Sequence, residues 1–340
     1  MNFVTSGTLK TRRTVLGRKG FLMELSFINV GYGDAILIEQ NNQTMLLDGG
    51  SSCKEEFEGF PNRMRAAEYL RRAQIPQIDL LMISHIHEDH VCGLEQILYE
   101  FPVREMVIPY EPALFMESRV FEPDDSAPRS AHLFARALSA LTRMVQYAVQ
   151  NGIPVRMAQP ETVYDFAGLQ IKILAPNAEK RQEFEQHLAD VFRAEDCTDK
   201  LVLLDCISNQ YSLLVKISAG QTDVLLAADN CPSGWKDIAP SEWEKVQILK
   251  LPHHGQRDSM EERVAQGMPL RYVITTASSD RRYQSACPAV YEMLRRLHPK
   301  VQLLFTDECV YEPFFSNPDG ANAIKIVVDS GEVTTEFIKI

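Results

Sequence analysis

The segment Ile78–His90, IDLLMISHIHEDH, places three histidines and two acidic residues directly after an apolar run. An apolar run of this kind is typical of a strand that is buried on both faces. Desolvating so many titratable groups beside a core costs free energy unless something compensates them. Because a divalent metal would compensate all of them at once, the segment predicts a metal site where a buried strand ends.

The spacing inside this cluster predicts how the ligands divide. If the strand ends at Ser84, His85 and His87 can point together from the following loop. Asp89 and His90 then lie where the next helix begins. The set separates into two imidazoles for one ion, and a carboxylate with an imidazole for a second. It differs from the HExxH motif, in which two histidines share one face of a helix.

The overall composition is typical of a soluble globular protein, since 45% of the 340 residues are hydrophobic and 24% are charged. The net charge of −11 argues against broad binding to nucleic acid, although a nucleic acid could still be a substrate. No apolar run approaches the roughly 20 residues that span a bilayer, so no membrane partner is expected. Seven cysteines without a CxxC pair indicate reduced thiols and a cytoplasmic protein. The oligomeric state is left open.

Short strand patterns precede alternating strands and helices in both halves of the chain. The first group begins near Met23 and is followed by a helix predicted at 63–74. The second begins near Ser212 and is followed by a helix predicted at 288–297. This order predicts an α/β protein of two sheets with helices packed outside them. The expected organisation is a tail or edge strand over 1–22 and one domain over 23–340, with a partly helical insertion at 110–200.

Several motifs occur in the order in which one known superfamily has them. His85, His87, Asp89 and His90 form an HxHxDH signature, the most specific motif in the chain. In this respect the chain resembles the metallo-β-lactamase fold superfamily. More narrowly, it looks like the hydrolase domain of ComEC-like competence DNA-uptake proteins and their stand-alone relatives. The resemblance implies a four-layer αββα metallo-β-lactamase-like sandwich with a helical insertion. The other motifs that carry it are Asp48-Gly49-Gly50, Asp229 at a strand end, His253-His254-Gly255, and the segments 29–35 and 209–215.

The resemblance also implies a centre of one or two divalent ions bridged by Asp229. Zn²⁺ is the expected ion, and Mn²⁺ becomes a candidate as oxygen donors increase. His254 is favoured as a ligand, and His253 is expected to position a substrate phosphate or to orient the ligands, although residue types alone do not separate the two. The implied ligands are His85, His87 and Asp229 for the first ion, and Asp89, His90, Asp229 and His254 for the second.

Two positions depart from the superfamily pattern. Asn209 stands where many members have a third histidine on the first ion, and Ser285 takes the place of a later histidine. An amide oxygen is a weaker zinc ligand than imidazole, so the first site is expected to have a less complete ligand set.

Asp48 is expected to accept a hydrogen bond that orients a ligand histidine. Gly31, Gly33, Gly49 and Gly50 are expected to permit positive φ in turns.

These features predict a hydrolase in which a metal-activated water attacks the substrate, with Asp89, His253 and Asp48 acting at the reaction centre. A phosphodiester, in nucleic acid or a small nucleotide, is the preferred substrate. A hydrolase of carboxylic esters, lactones or thioesters on the same fold is an alternative, and a catalytically degenerate metal-binding module is another. Cations near the metals would favour phosphodiesters, with Lys250, Arg257, Arg281 and Arg282 as candidates. An apolar pocket around Phe115, Phe134 and Phe166 would favour esters.

Overall fold

The computed structural model describes residues 22–123, 125–160 and 162–340. The tail or edge strand expected over 1–22 therefore lies outside the described residues, apart from Leu22, which begins the first strand. The domain limits 23–340 and the insertion 110–200 stay predictions.

The described residues form short, largely apolar strands and a smaller number of helices. In chain order the strands are β1 (Leu22–Ile28), β2 (Ile36–Gln40), β3 (Gln43–Leu47), β4 (Leu80–Met82), β5 (Met106–Ile108), β6 (Val155–Met157), β7 (Val163–Phe166), β8 (Leu169–Ala175), β9 (Leu214–Ala219), β10 (Thr222–Leu226), β11 (Val246–Lys250), β12 (Tyr272–Thr275), β13 (Gln302–Phe305), β14 (Cys309–Tyr311), β15 (Phe315–Asn317), β16 (Ala323–Asp329) and β17 (Glu332–Ile338). The helices are α1 (Ala66–Arg72), α2 (Glu88–Val91), α3 (Leu94–Glu100), α4 (Ala113–Met116), α5 (Arg129–Gln150), α6 (Ala178–Arg193), α7 (Thr198–Ile207), α8 (Glu262–Ala265) and α9 (Pro288–Leu297).

Two large sheets carry most of these strands. The first has the order β17-β16-β1-β2-β3-β4-β5-β6, and the second has the order β13-β12-β11-β10-β9-β8-β7. Neighbouring strands from β3 to β6 run parallel, and so do those from β10 to β13. Strands β14 and β15 form a separate hairpin.

Three apolar cores separate the layers. Phe27 of the first sheet and Ile248 of the second belong to the core between the sheets. Leu70 and Phe134 belong to a core between the first sheet and its helices. Tyr291 belongs to the core outside the second sheet. The predicted four-layer αββα arrangement is confirmed.

Local structure follows the predicted pattern most closely where the apolar spacing is regular. Helix α5 places Leu138, Leu141 and Met144 at helical intervals on its buried side, as the spacing predicts. The spacing of Phe184, Leu188 and Phe192 predicts a helical stretch over 177–200, which the structure divides into α6 and α7, and α7 continues to Ile207. This extension has no amphipathic signal, because apolar residues lie around the whole of α7.

Candidate metal centre

The parallel strands of the two sheets end at one rim of the sandwich, and the candidate ligands follow those ends. Asp48 follows β3, and the segment His85–His90 follows β4. Asp229 follows β10, and the pair His253-His254 follows β11. Because parallel strands present their carboxyl ends at the same edge, residues that are far apart in the sequence meet there.

The second half of the predicted centre consists of Asp89, His90 and His254 around one oxygen of Asp229. His90 Nε2 and His254 Nε2 each lie 3.5 Å from Asp229 Oδ1. His254 Nε2 lies 3.1 Å from Asp89 Oδ2, and His90 Nε2 lies 3.7 Å from the same atom. Among the described residues, His90 Nε2, His254 Nε2 and Asp229 Oδ1 are buried and make no hydrogen bond. Buried polar atoms without partners are costly, and this donor set fits a divalent cation.

The first half consists of His85 and His87 beside the other oxygen of Asp229. His85 Nε2 lies 3.9 Å from Asp229 Oδ2 and 3.0 Å from His87 Nδ1. The outer nitrogen of His87, Nε2, lies 3.1 Å from the carbonyl oxygen of Asp205 in α7. Since the two Asp229 oxygens face different groups of histidines, this carboxylate lies where a bridging ligand is expected.

The outer contacts determine the tautomer of each ligand imidazole. His87 Nε2 and His254 Nδ1 face backbone carbonyl oxygens, of Asp205 and Thr276, so they must carry the proton. His90 Nδ1 faces a carboxylate oxygen of Asp48 at 2.9 Å. His85 Nδ1 faces the Ser84 hydroxyl, which itself donates to Asp48. With the outer nitrogen protonated, each ring in its neutral form directs a lone pair inward, which is the ligand form of histidine.

Asp48 supports this arrangement from behind the ligands. Its Oδ1 accepts the Ser84 backbone N–H at 2.8 Å, and its Oδ2 accepts from the Ser84 hydroxyl at 2.6 Å and from His90. Burial raises the pKa of this carboxyl, while the hydrogen bonds from His90 and Ser84 oppose the rise. Its backbone has φ of 58°. These contacts agree with an orienting role for Asp48, which stays a prediction.

Burial and neighbouring charges pull the ligand pKa values in different directions. Burial, together with His90 and His87, lowers the pKa of His85 well below its usual value and keeps the ring neutral. Burial also opposes charge on His90, but Asp229 and Asp89 outweigh it and raise the pKa of His90 well above its usual value. The carboxylates thus create a strongly negative potential at the point where the imidazole lone pairs converge.

Sequence reasoning missed the buried pair formed by Asp34 and Lys250. Lys250 Nζ lies 2.5 Å from Asp34 Oδ2 and donates to the Ala228 carbonyl oxygen at 2.8 Å. Lys250 is fully buried, and its Nζ lies 3.9 Å from Asp229 Oδ1, so this predicted cation lies near the ligands and is paired with Asp34. Asp34 also accepts from the Thr276 hydroxyl, and the carbonyl of Thr276 holds His254. Asp34 thus supports His254 through Thr276. The sequence motifs that contain Asp34 and Lys250 do not show that these two residues meet.

Asn209 and His253 contact each other through their side chains. Asn209 Nδ2 lies 3.1 Å from His253 Nε2, and Asn209 Oδ1 is buried without a partner. His253 Nδ1 lies 3.2 Å from Asp258 Oδ1. Burial lowers the pKa of His253, but the carboxylates of Asp258 and Asp229 raise it by more. The pKa of His253 therefore lies above 6.5. Ligation by Asn209 and a catalytic role for His253 or Asp89 stay predictions.

Two of the predicted turn glycines are required by close packing. A Cβ on Gly33, which has φ of 132°, would lie 2.2 Å from the Asp89 carbonyl oxygen. Gly31 and Gly50 also have positive φ. The expected positive φ at Gly49 is wrong, because this residue is needed for the approach of Leu94, whose backbone nitrogen would lie 2.8 Å from an added Cβ.

The aromatic residues proposed for an ester pocket lie in the cores. Phe115 and Phe134 are buried with the helices of the first sheet, and Phe166 lies in the core between the sheets. These aromatic residues therefore do not form the common pocket that the alternative would need.

Ser285 is buried, and its hydroxyl has no partner among the described residues.

The other predicted cations are arginines that differ in whether their guanidinium groups already have partners. Arg282 pairs with Glu56 and Asp280, and the guanidinium of Arg281 lies 4.0 Å from the ring of Tyr311. Arg257, three residues after His254, is exposed. Among the described residues it has no ion-pair partner.

Comparison with known proteins agrees with this fold and site. Residues 28–163 match the Metallo-beta-lactamase superfamily, and this range includes Asp48 and the HxHxDH segment. The matched residues, 28–163, therefore belong to a metallo-β-lactamase superfamily domain.

Particular relatives narrow the resemblance. The chain is 22% identical over 298 residues to ComE operon protein 3 of Bacillus subtilis (strain 168), which covers 84% of this chain and 32% of that protein. It is 31% identical over 150 residues to Anti-Pycsar protein Apyc1 of Paenibacillus harenae, covering 43% of this chain and 55% of that protein. The chain thus spans about a third of the first relative and about half of the second. The resemblance to ComEC-like proteins is confirmed.

Among solved structures, the metallo-beta-lactamase fold protein YhfI from Bacillus subtilis aligns with 83% of this chain and 96% of its own, at 11% identity and a TM-score of 0.47.

In the ranges that the structure describes, no helix is both long enough and apolar enough to cross a membrane.

Proposed function

We propose that this chain is a metal-dependent hydrolase of phosphodiesters, with one or two divalent ions at the rim of the sandwich. The observation that carries the proposal is the set of inward-facing lone pairs on four buried or partly buried imidazoles around Asp229. Without a cation, His85 Nε2 and His87 Nδ1 would face each other as two acceptors at 3.0 Å. A shared cation removes this conflict and satisfies the unpartnered atoms of the second half.

A divalent ion bound here would polarise the scissile bond and lower the pKa of a water towards neutrality. Asp229 would hold the two ligand groups at a fixed separation, because each of its oxygens faces one group. Asp89 would complete the second group through Oδ2. The imidazoles favour zinc, whereas the oxygens of Asp89 and Asp229 are also suited to manganese.

The surroundings of the ligands support a phosphodiester over an apolar ester. The ring of Tyr32 lies 4.2 Å from that of His254 and 5.3 Å from that of Tyr283, whose side chain is 57% exposed. Gln256 donates to the Tyr32 hydroxyl, and Arg257 follows it in the chain. An exposed aromatic ring, and an exposed arginine three residues after a ligand in the chain, are suited to a nucleotide base and its phosphate.

The proposal is tested by metal analysis and a substrate panel. The metal-free chain is reconstituted with Zn²⁺ or Mn²⁺ and offered an activated aryl phosphodiester, a cyclic nucleotide, a lactone and a thioester. We expect metal-dependent turnover of the phosphodiesters. Turnover of the lactone or thioester alone would favour the ester alternative. Bound metal without any turnover would favour a degenerate binding module.

Arg257 provides a substrate-side test of the same proposal. Because its side chain is exposed, replacement by Gln should raise KM for a phosphodiester by only about two- to fivefold and leave kcat nearly unchanged. Steady-state kinetics measure this effect. Arg263→Gln is the matched control, since Arg263 is also exposed but is paired with Glu261. An equal effect of both substitutions would assign it to general surface charge.

A further inference from the structure

A second group of metal-binding side chains lies beside the centre and shares no residue with it. Cys231 Sγ, His253 Nδ1 and Asp258 Oδ1 all lie within 4.8 Å of one another. Cys231 comes from the loop after β10, whereas His253 and Asp258 come from the loop after β11. We propose that these three side chains form a separate site for a zinc-like divalent cation.

The distances agree with three ligands of one tetrahedral ion. Zinc binds sulfur at about 2.3 Å and nitrogen or oxygen at about 2.0 Å, so neighbouring ligand atoms lie about 3.3 to 3.5 Å apart. Here His253 Nδ1 lies 3.2 Å from Asp258 Oδ1 and 3.9 Å from Cys231 Sγ. Moving Cys231 Sγ by a few tenths of an ångström towards His253 Nδ1 would bring the 3.9 Å distance into this range.

The arrangement differs from a cysteine nucleophile activated by a histidine and an aspartate. In such a triad the thiol and the carboxylate contact opposite nitrogens of the imidazole. Here both groups face the same nitrogen, Nδ1 of His253. Three ligand atoms that converge on one point outside the ring are typical of a shared ion.

The opposite side of the His253 ring supports the tautomer that this site needs. The amide nitrogens of Asn209 and Gln256 lie 3.1 Å and 2.9 Å from Nε2. One imidazole nitrogen has a single lone pair and cannot accept from both amides. Turning either amide about its last side-chain torsion places a carbonyl oxygen at Nε2. Nε2 then carries the proton, and Nδ1 presents a lone pair to Cys231 and Asp258.

The thiol determines which cation this site prefers. Sulfur ligands favour zinc over manganese and magnesium, whereas no cysteine is among the ligands of the main centre. The Asp258 side chain is 63% exposed, which leaves a route for entry. Because Cys231 follows Asp229 by two residues and His253 adjoins His254, an ion here would tie together two loops that carry main-centre ligands.

Cobalt substitution tests the site, because a thiolate bound to Co²⁺ produces a near-ultraviolet charge-transfer band that imidazole and carboxylate ligands do not. The reduced, metal-free full chain is titrated with Co²⁺. We expect the band in the unmodified chain and in His85→Ala. Cys231→Ser should lose the band and should bind about one equivalent of metal less than the unmodified chain. The control is Cys206→Ser, which removes an exposed cysteine and should retain the band.

Alkylation of the unmodified chain provides a second measurement that does not depend on folding of the variants. Zn²⁺ should slow iodoacetamide labelling of Cys231, read by peptide mass spectrometry, and leave Cys206 unaffected. A missing charge-transfer band when the main centre is full would overturn the proposal. A band that persists in Cys231→Ser, or equal labelling of Cys231 with and without zinc, would also overturn it.

Discussion

The two halves of the candidate centre differ in how the fold supports their ligands. In the second half, His90 and His254 are fully buried, and their outer nitrogens are held by Asp48 and Thr276 at the rim of the sheets. In the first half, the side chain of His87 is 15% exposed and is held by a carbonyl oxygen of α7. The second site is therefore built on the sheets, whereas the first depends on helix α7. We expect tighter binding of an ion at the second site.

The largest effect is expected from Asp229→Asn, which removes the charge that both halves share. Both ions should be lost or severely weakened, and phosphodiester turnover should fall by a factor on the order of 10³. Elemental analysis and kinetics measure the two effects. The matched control is Asp223→Asn in β10, whose carboxylate pairs with Lys216 away from the centre. Retention of both ions in Asp229→Asn would contradict its bridging position.

A comparison of His254→Ala with His87→Ala tests the asymmetry directly. His254→Ala should abolish high-affinity binding, because it opens the sheet-supported site. His87→Ala should leave about one ion bound with high affinity, since the loss is confined to the half that relies on α7. Calorimetric metal titration distinguishes the two outcomes. Equal losses would show that the halves bind as a unit.

Asp48→Asn tests the support behind the ligands. It preserves shape but removes the charge that accepts from Ser84 and His90, so metal affinity should fall roughly 10- to 100-fold. Competition with a chelator of known affinity measures the change. Asp79→Asn is the control, because Asp79 is also buried and accepts from Thr44. A similar affinity loss in Asp79→Asn would point to a general stability effect.

The smallest expected effect comes from Gly33→Ala, which presses on the loop of Asp89. The added Cβ would meet the Asp89 carbonyl oxygen, and overpacking of this kind costs about 1–3 kcal/mol of the free energy of unfolding. Second-site affinity should fall with it, while the first site is less affected. Gly220→Ala is the control, since it has φ of 67° but nothing within 4 Å of the added Cβ. Identical denaturation midpoints and affinities would exclude the steric contact.

The two-sheet architecture could be predicted because strand and helix patterns are local. The apolar runs at β4, β10 and β11 each lead directly into candidate ligands, so the sequence places those residues at strand ends. The exact first and last residues of the strands and helices depended on tertiary packing. Strand β6, for example, has three residues of intermediate or exposed character and no alternation that could distinguish it from a loop.

The support of the site could not be predicted to the same degree. The sequence places Asp34 in a turn and makes Lys250 a candidate cation near the metals, yet the two form a buried pair at 2.5 Å. The orientation of Asn209 towards His253 also depends on the meeting of two loops. Such contacts join segments that are separated by dozens to hundreds of residues, and no local pattern encodes them.

The sequence by itself determined the chemistry of the centre, because three imidazoles and two acidic residues after a buried strand have few uses other than metal binding. The tertiary structure decided which atoms face one another. It holds Asp48, His253 and His254 at positive φ, a conformation that costs non-glycine residues about 1–2 kcal/mol each and that only surrounding contacts can maintain. Those contacts turn the inner nitrogens towards one another, because the outer nitrogens of His87, His90 and His254 each meet an acceptor from another part of the chain.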